Sequence, residues 1–406
     1  MKQQLCSALV WYAILFSLVA GPLPAIAEEK VFSTISNFDP PVGTDAAEPS
    51  LFALNDERIL MSWTEPTADG YAVKVSTGSV EGWSEPRTVV DSGALFVNWA
   101  DFPSIAAFGD GTLVAHWLKE TGSGYDYDLK IALSQDEGKT WSKALTPHRD
   151  GRTAQHGFAT LLPIADNKVI AVWLDGRASG VDEASSELMQ LRGTVIASDG
   201  TLSEDLLLDA QMCSCCQTSA AVAGDGTVLV AYRDRTMDEI RDISLVRMVD
   251  GDWSEPIKVH EDGWEISGCP VNGPAIDAKE TDAVVAWFTE VGGVPAVKVA
   301  FSENTGRSFG TAVRIDQGKP VGRVDTVLLD DGSAIVSWVE WPGDGEVLFV
   351  CRADPETGCG KPQSITINRV GGSINFPRMV RVRNGVYVAW NQPGRDALIR
   401  MVFAKW

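Results

Sequence analysis

Short apolar runs that end in an aromatic residue recur along the chain: Met61-Ser62-Trp63, Ala115-His116-Trp117, Ala171-Val172-Trp173, Val230-Ala231-Tyr232, Ala286-Trp287, Val336-Ser337-Trp338 and Val388-Ala389-Trp390. Successive aromatics are 54, 56, 59, 55, 51 and 52 positions apart. Around each run the apolar and polar positions follow one plan. A first strand starts near Pro or Gly, as in Glu48-Pro49, Phe102-Pro103, His156-Gly157, Asn272-Gly273 and Phe376-Pro377. A turn such as Gly109-Asp110-Gly111, Gly224-Asp225-Gly226 or Asp330-Asp331-Gly332 leads into the aromatic-ended strand, and Asp-Gly pairs between apolar runs signal hairpins. A third strand follows, for example Leu129 to Leu133 or Val297 to Phe301. A fourth comes after Trp-Ser elements such as Trp83-Ser84, Trp141-Ser142 and Trp253-Ser254.

Four strands per unit and no sustained helical period predict an all-β protein. A repeat of about 50 residues is the signature of propeller blades. The spacing therefore predicts a seven-bladed β-propeller of four-stranded antiparallel blades, near 48–91, 101–149, 156–211, 216–262, 272–317, 323–369 and 375–406. The last unit has room for only three strands, while Val31 to Asn37 is left over at the other end. Residues 31–37 are expected to supply the missing strand and close the ring, which removes exposed sheet edges.

The N-terminus changes the picture of where this domain works. Lys2, an uncharged apolar run from Leu5 to Ala20 and the small-x-small pattern Ala25-Ile26-Ala27 read as a cleaved signal peptide over 1–27, leaving one domain over 28–406. An uncleaved N-terminal anchor is the alternative. The expected location is secreted or periplasmic, with no membrane span in the mature chain. The full chain carries 34 basic and 55 acidic residues, a net charge of −21. So acidic a surface argues against nucleic acid and anionic lipid as partners and suits a soluble monomer. Cysteine use fits export: Cys351 and Cys359 are near enough in sequence to clip a hairpin as a disulfide.

Ser134-Gln135-Asp136-Glu137-Gly138-Lys139-Thr140-Trp141 matches the Asp-box pattern S-x-D-x-G-x-x-W, and Ser302-Glu303-Asn304-Thr305-Gly306-Arg307-Ser308-Phe309 is a degenerate second copy. Gly82-Trp83 and Asp250-Gly251-Asp252-Trp253 look like eroded ones. The chain thus resembles the sialidase-like, BNR-repeat propellers. In that family the box is a structural turn between outer strands, away from the catalytic mouth. The resemblance implies the fold, with the six-bladed sialidase form as alternative to seven, and a glycan as ligand. It also implies three arginines for a substrate carboxylate, a Tyr–Glu nucleophile pair and an Asp acid/base. The family's Arg-Ile-Pro element is absent, and its place reads Glu48-Pro49-Ser50.

In a propeller, loops entering first strands and loops leaving second strands share one face. The residues 15 positions ahead of the aromatics include Glu48, Gln217, Asn272 and Arg323, with Asp101 and His156 as counterparts in units two and three and Arg378 in the last lead-in. These should ring the channel mouth and bind substrate. Beyond the second strands come Asp175-Gly176-Arg177 and Tyr232-Arg233-Asp234-Arg235, where Tyr232 breaks the Trp series. A Tyr beside two arginines and a carboxylate suits a phenolate or an anion site. Asp101, Asp175, Tyr232 and Asp234 are the catalytic candidates, since two suitably spaced carboxyls permit glycoside cleavage. Arg177, Arg233 and Arg235 are binding candidates, and Trp99 and Trp264, outside the repeated set, are candidate sugar-stacking platforms. The competing reading of each is an inter-blade salt bridge or local packing.

Cys213-Ser214-Cys215-Cys216 precedes unit four and Cys269 precedes unit five, with His148, His156 and His260 in similar loops. Disulfides are the first reading. A copper or zinc site on Cys213, Cys215, Cys216, Cys269 and His156, or a redox thiol, is the alternative. No cofactor is otherwise called for. Three functions stay open: an enzyme cleaving an acidic glycan, a non-catalytic propeller binding a glycan, another small acidic ligand or a partner, and a periplasmic metal or thiol protein.

Overall fold

The computed structural model describes residues 30–55, 57–180, 188–394 and 398–406; residues 1–27, which the sequence reads as a signal peptide, lie outside them. Within Val31–Trp406 the strands form seven antiparallel sheets, six of them made of consecutive segments and the seventh joining both ends of the chain. The third blade shows the plan: His156–Ile164, Lys168–Asp175, Met189–Ala197 and Leu206–Met212 pair in order from the inside outward. In blades one, four and six the outer strand is broken in two, as in Gly82–Trp83 and Arg87–Ser92. In blade two it is reduced to an isolated bridge between Ile131 and Leu145.

The innermost strands touch one another in order round the molecule, and that of blade seven (Arg378–Val382) touches that of blade one (Ala47–Ala53). This makes a closed ring, a seven-bladed β-propeller with no helix among the described residues. Closure is as the leftover segment implied. Thr34–Asn37 pairs with the last strand in the register Thr34↔Lys405 to Asn37↔Val402, so the two ends of the domain share a blade.

The core is seven layers rather than one centre, and each layer lies between adjacent blades. Second strands are buried on both faces, which is why they read as continuous apolar runs such as Val169–Leu174. Their terminal aromatic packs on the preceding blade: Trp63 on Ala389 and Met401, Trp173 on Leu129 and Ile131, Trp287 on Ala231 and Leu245, Trp338 on Ala286 and Val299. Each of these four indoles is fully buried and therefore needs an acceptor for its N–H. The chain usually supplies it two residues later, because positions i and i+2 of a strand face the same way. Trp63 Nε1 donates to Glu65 at 3.0 Å, Trp173 to Asp175 at 2.7 Å, and Trp338 to Glu340 at 3.0 Å. Trp287 donates instead to Asp262, at 2.6 Å.

The Asp-box is a turn closing the third strand. Gly138 N donates to Ser134 Oγ at 2.8 Å, and Thr140 N donates to Asp136 Oδ1 at 2.8 Å. The second copy keeps the pattern with Asn304 in the Asp place: Gly306 N to Ser302 Oγ at 3.0 Å and Ser308 N to Asn304 Oδ1 at 3.0 Å.

Candidate functional site at the channel mouth

First strands from six blades line a central cavity of about 190 Å³, reached by Asp101, Gln217, Asp325 and Arg378 among others. Side chains there stitch blades together. Gln217 donates from Nε2 to Ala100 O at 2.5 Å and accepts from Gly273 N at 3.2 Å. Gly273 must be glycine, since a Cβ there would lie 2.1 Å from Gln217 O. Asn272 accepts from Arg323 N at 2.8 Å. Glu48, at φ 62°, is buried, accepts from Thr64 Oγ1 at 2.6 Å, and donates its own backbone N–H to Asn391 Oδ1 at 3.1 Å. Burial pushes its carboxyl up to about 7, against the Thr64 hydrogen bond and with help from the charge of Asp101. Of these, Gln217 and Arg378 line the cavity, and Asn272 and Arg323 meet each other through the bond above.

Above this cavity a cleft of about 350 Å³ opens between Asn98, Trp99, Asp101, Tyr125, Tyr127, Gln155, Cys215 and Cys269. Tyr127 donates its hydroxyl to Asp101 Oδ2 at 2.6 Å, while Phe158 N donates to Oδ1 at 2.7 Å. Burial drives the Asp101 carboxyl up to about 7 despite both bonds. Gly157 makes room for the pair, because a Cβ on it would lie 2.1 Å from Asp101 Oδ2 and 2.6 Å from the Tyr127 ring. Trp99 is 40% exposed and stacks on Phe376, and the Arg323 guanidinium lies 5.0 Å from its ring centroid. Arg323 donates to Ser373 Oγ. A second hollow of about 580 Å³ shares Gln155, Ser214 and Cys269 with the first and extends it to Arg235, Glu239 and Arg241. Glu239 pairs with both arginines, at 2.6 and 2.7 Å.

Other candidates lie elsewhere, for physical reasons. Asp175 is spent on structure: its carboxylate accepts from the Trp173 indole and from Arg177 at 2.8 and 2.6 Å. Burial alone would raise it, but Arg177, His156 and Trp173 hold it below the ordinary carboxylate value. Arg177 also binds Asp205, at 2.7 Å. Tyr232 is fully buried between blades three and four, with its hydroxyl on Asp209. Burial and the Asp209 charge push its ionisation up, the reverse of what a phenolate needs. Asp234 accepts from Ser244 and from Arg235 N, at 2.9 and 2.7 Å. Arg233 donates to the carbonyls of Asn272, Arg241 and Phe288 and lies over Trp264, which is buried against Phe288 rather than set at the mouth. Tyr125, Tyr127, Gln155 and Arg241 were missed. Tyr125 and Tyr127 end a Gly-rich loop leaving a second strand, a position that topology assigns to the mouth, and an aromatic pair in a polar loop was the available signal.

Two clusters of side chains have metal-ligand composition among the described residues, the first holding two overlapping groups, Asp128–His148–His156 and Asp150–His156–Asp175. His148 and His156 stack with centroids 3.6 Å apart and planes 7° apart, among Asp128, Asp150 and Asp175. Parallel rings cannot aim their in-plane lone pairs at one ion, and the carboxylates face both imidazoles; burial pushes His148 down to about 4. The second cluster is Cys213, Cys215 and Cys216, whose sulfurs lie within 4.8 Å of one another. Cys351 and Cys359 instead lie at bonding distance, S–S 2.12 Å.

No protein-family model and no curated protein sequence matches the chain. Solved structures do. The chain is similar to a protein of unknown function from Dyadobacter fermentans, at 15% identity and a TM-score of 0.51, over 92% of this chain and 98% of that one. It is similar to the polysaccharide lyase Uly1 at 11% identity, TM-score 0.53, over 91% and 92%. It is likewise similar to an α-L-arabinofuranosidase, Arb93A from Fusarium graminearum, at 12% identity, TM-score 0.51, over 91% and 97%. At these identities the likeness is one of fold, shared over nearly the whole length of each chain.

Proposed function

We propose that the mouth cleft binds an acidic glycan and cleaves a glycosidic bond in it, with Asp101 and Tyr127 as the proton-transfer pair. The observation that carries this reading is the hydrogen bond between those two side chains, inside a cleft that also offers an exposed indole and a guanidinium. A carboxyl titrating near 7 holds both protonation states at neutral pH, as a general acid or base requires. Trp99 offers a face for a sugar ring, and Arg323 beside it offers a fork for a carboxylate. With Asp101 protonated, its O–H turns to the Tyr127 oxygen, Tyr127 passes its own proton to the leaving oxygen as it takes that of Asp101, and water adds to the anomeric carbon, its proton returning to the Asp101 carboxylate. Two of the similar structures bear the names of glycan-acting enzymes, which makes glycans the first class to test. Export through the N-terminal segment and a monomeric state complete the proposal.

The test is turnover on sialosides, uronic-acid polysaccharides and arabinosides. Reducing-end assay detects any cleavage, and ultraviolet absorbance of an unsaturated product separates elimination from hydrolysis. A second reading, binding without cleavage, has its own support. Asp277 and Asp325 accept the neighbouring blade's Leu328 and Met379 N–H much as Asp101 accepts that of Phe158, so Asp101 also belongs to a structural series. Saturable binding with no product on any substrate would favour it.

A further inference from the structure

Three cysteines of one short loop, Cys213, Cys215 and Cys216, meet Cys269 from the next entry loop at the cleft, which Cys215 and Cys269 line. Cys213 and Cys216 are fully buried, Cys215 is half-buried and Cys269 is exposed. Cys213 Sγ lies 3.4 Å from Cys216 Sγ and 3.8 Å from Cys215 Sγ, and the Cys269 thiol interacts with that of Cys215. Thiolates at about 2.3 Å from one tetrahedral ion sit about 3.8 Å apart, so the spacing of Cys213, Cys215 and Cys216, all within 4.8 Å of one another, is that of three ligands round a shared centre, with Cys269 reaching the group through Cys215. The backbone prepares it. Cys213 N donates to Arg233 O at 3.1 Å, Gln155 Nε2 donates to Ser214 O at 3.1 Å, and these bonds hold the Cys213–Cys216 turn between blades three and four.

The surroundings supply the charge such a centre needs. Arg241 Nη1 donates to Cys213 Sγ at 3.4 Å, an outer-shell bond of the kind that steadies a ligating thiolate. A cluster of thiolates round one cation carries net negative charge, and a guanidinium at hydrogen-bond distance offsets it. Cys215 and Cys269 also line the cleft, so the centre opens to solvent on one side.

We propose that Cys213, Cys215, Cys216 and Cys269 form a binding site for one thiophilic d¹⁰ cation, Zn²⁺ or Cu⁺, reached from the cleft. Binding displaces the thiol protons to solvent and changes no oxidation state, so no oxidant or reductant takes part. Soft sulfur ligands select such ions over Mg²⁺ and Ca²⁺. The site does not depend on the glycan reading.

The experiment uses the exported, purified full-length mature protein. It is reduced and desalted without oxygen, then titrated separately with Zn²⁺, Cu⁺ and Co²⁺ against a competing chelator, with native mass spectrometry for stoichiometry. The expected result is one ion per chain and, for Co²⁺, the charge-transfer and d–d bands of tetrahedral sulfur-rich coordination. Zn²⁺ binding tighter than Cu⁺ against matched chelators, or the reverse, assigns the ion. Cys269→Ser and Cys215→Ser, at the more accessible ligands, should weaken binding at least about a hundredfold, since losing a ligand outweighs losing its outer partner. Cys351→Ser paired with Cys359→Ser should leave binding unchanged. The proposal is overturned if the reduced wild-type protein takes up no ion in competition, or if the ion stays bound in the Cys215 and Cys269 variants. It is equally overturned if all four cysteines of freshly exported protein are joined in disulfides that ions and chelators do not disturb.

Discussion

The Tyr127 hydroxyl donates to Asp101 Oδ2 at 2.6 Å across the boundary between the channel cavity and the mouth cleft. One carboxyl thus joins the packing of blades two and three to the surface where a ligand arrives, and its environment sets both the chemistry and the stability of the fold.

Asp101→Asn keeps the shape and an acceptor for Phe158 N–H while removing the titrating proton. Turnover of the cleaved glycan should fall about 10²–10⁴-fold with ligand affinity largely retained. Tyr127→Phe should show the same split, and equal loss of binding and turnover in both variants would place the pair in packing alone.

The same carboxyl gives a pH dependence of stability. Asp101 and Glu48 titrate in the folded protein near 7, above their ordinary 3.8 and 4.5, so the folded state holds protons that the unfolded state has released. Their contribution to stability is fully present below the ordinary values and is lost as pH rises through about 7. Thermal melting followed from pH 4 upward should show this decline, and the Asp101→Asn variant should show a shallower one.

Asp175→Asn should destabilise the fold by about 3 kcal/mol, the low end for breaking a buried pair, because Asp205 still holds Arg177. Turnover per folded molecule should not change. Tyr232→Phe should cost about 1–2 kcal/mol, by leaving Asp209 short of a donor, and leave ligand binding intact. Denaturant melts beside activity assays check both.

Gly157→Ala places a methyl where Asp101 Oδ2 and the Tyr127 ring now stand. The variant should fold with reduced stability and lose turnover as completely as Asp101→Asn. Unimpaired turnover would show that the pair is not in its working position.

The repeat was legible because strand-ending aromatics have an unmistakable period, and the leftover Thr34–Asn37 segment then had only one place to go. Glu65, Asp175 and Glu340 were harder. They look like loop carboxylates beyond the apolar runs, yet they lie in the last residues of the second strands, whose two-residue alternation turns them back toward the indoles of Trp63, Trp173 and Trp338. Tyr232 breaks the series because its hydroxyl finds Asp209 on the outer strand of blade three, a partner that sequence spacing does not reveal. Conversely, Gln217, Asn272 and Arg323 were readable as axial residues from the repeat alignment alone. The meeting of Cys215 with Cys269, and of Asp101 with Tyr127, needed the ring to bring separate loops together.

Arg323→Ala should weaken binding of a carboxylated glycan by about tenfold or more and lower the melting temperature modestly, since it gives up the Ser373 hydrogen bond and the stacking on Trp99. Salt should weaken the wild-type interaction and have less effect on the variant.

A crystal soaked with an acidic oligosaccharide tests the mouth site most directly. The expected density has a sugar ring on the Trp99 face, its carboxylate at Arg323, and a glycosidic oxygen facing the Asp101–Tyr127 pair. A ligand seated at Arg177 and Tyr232, or an empty mouth at saturating concentration, would contradict it.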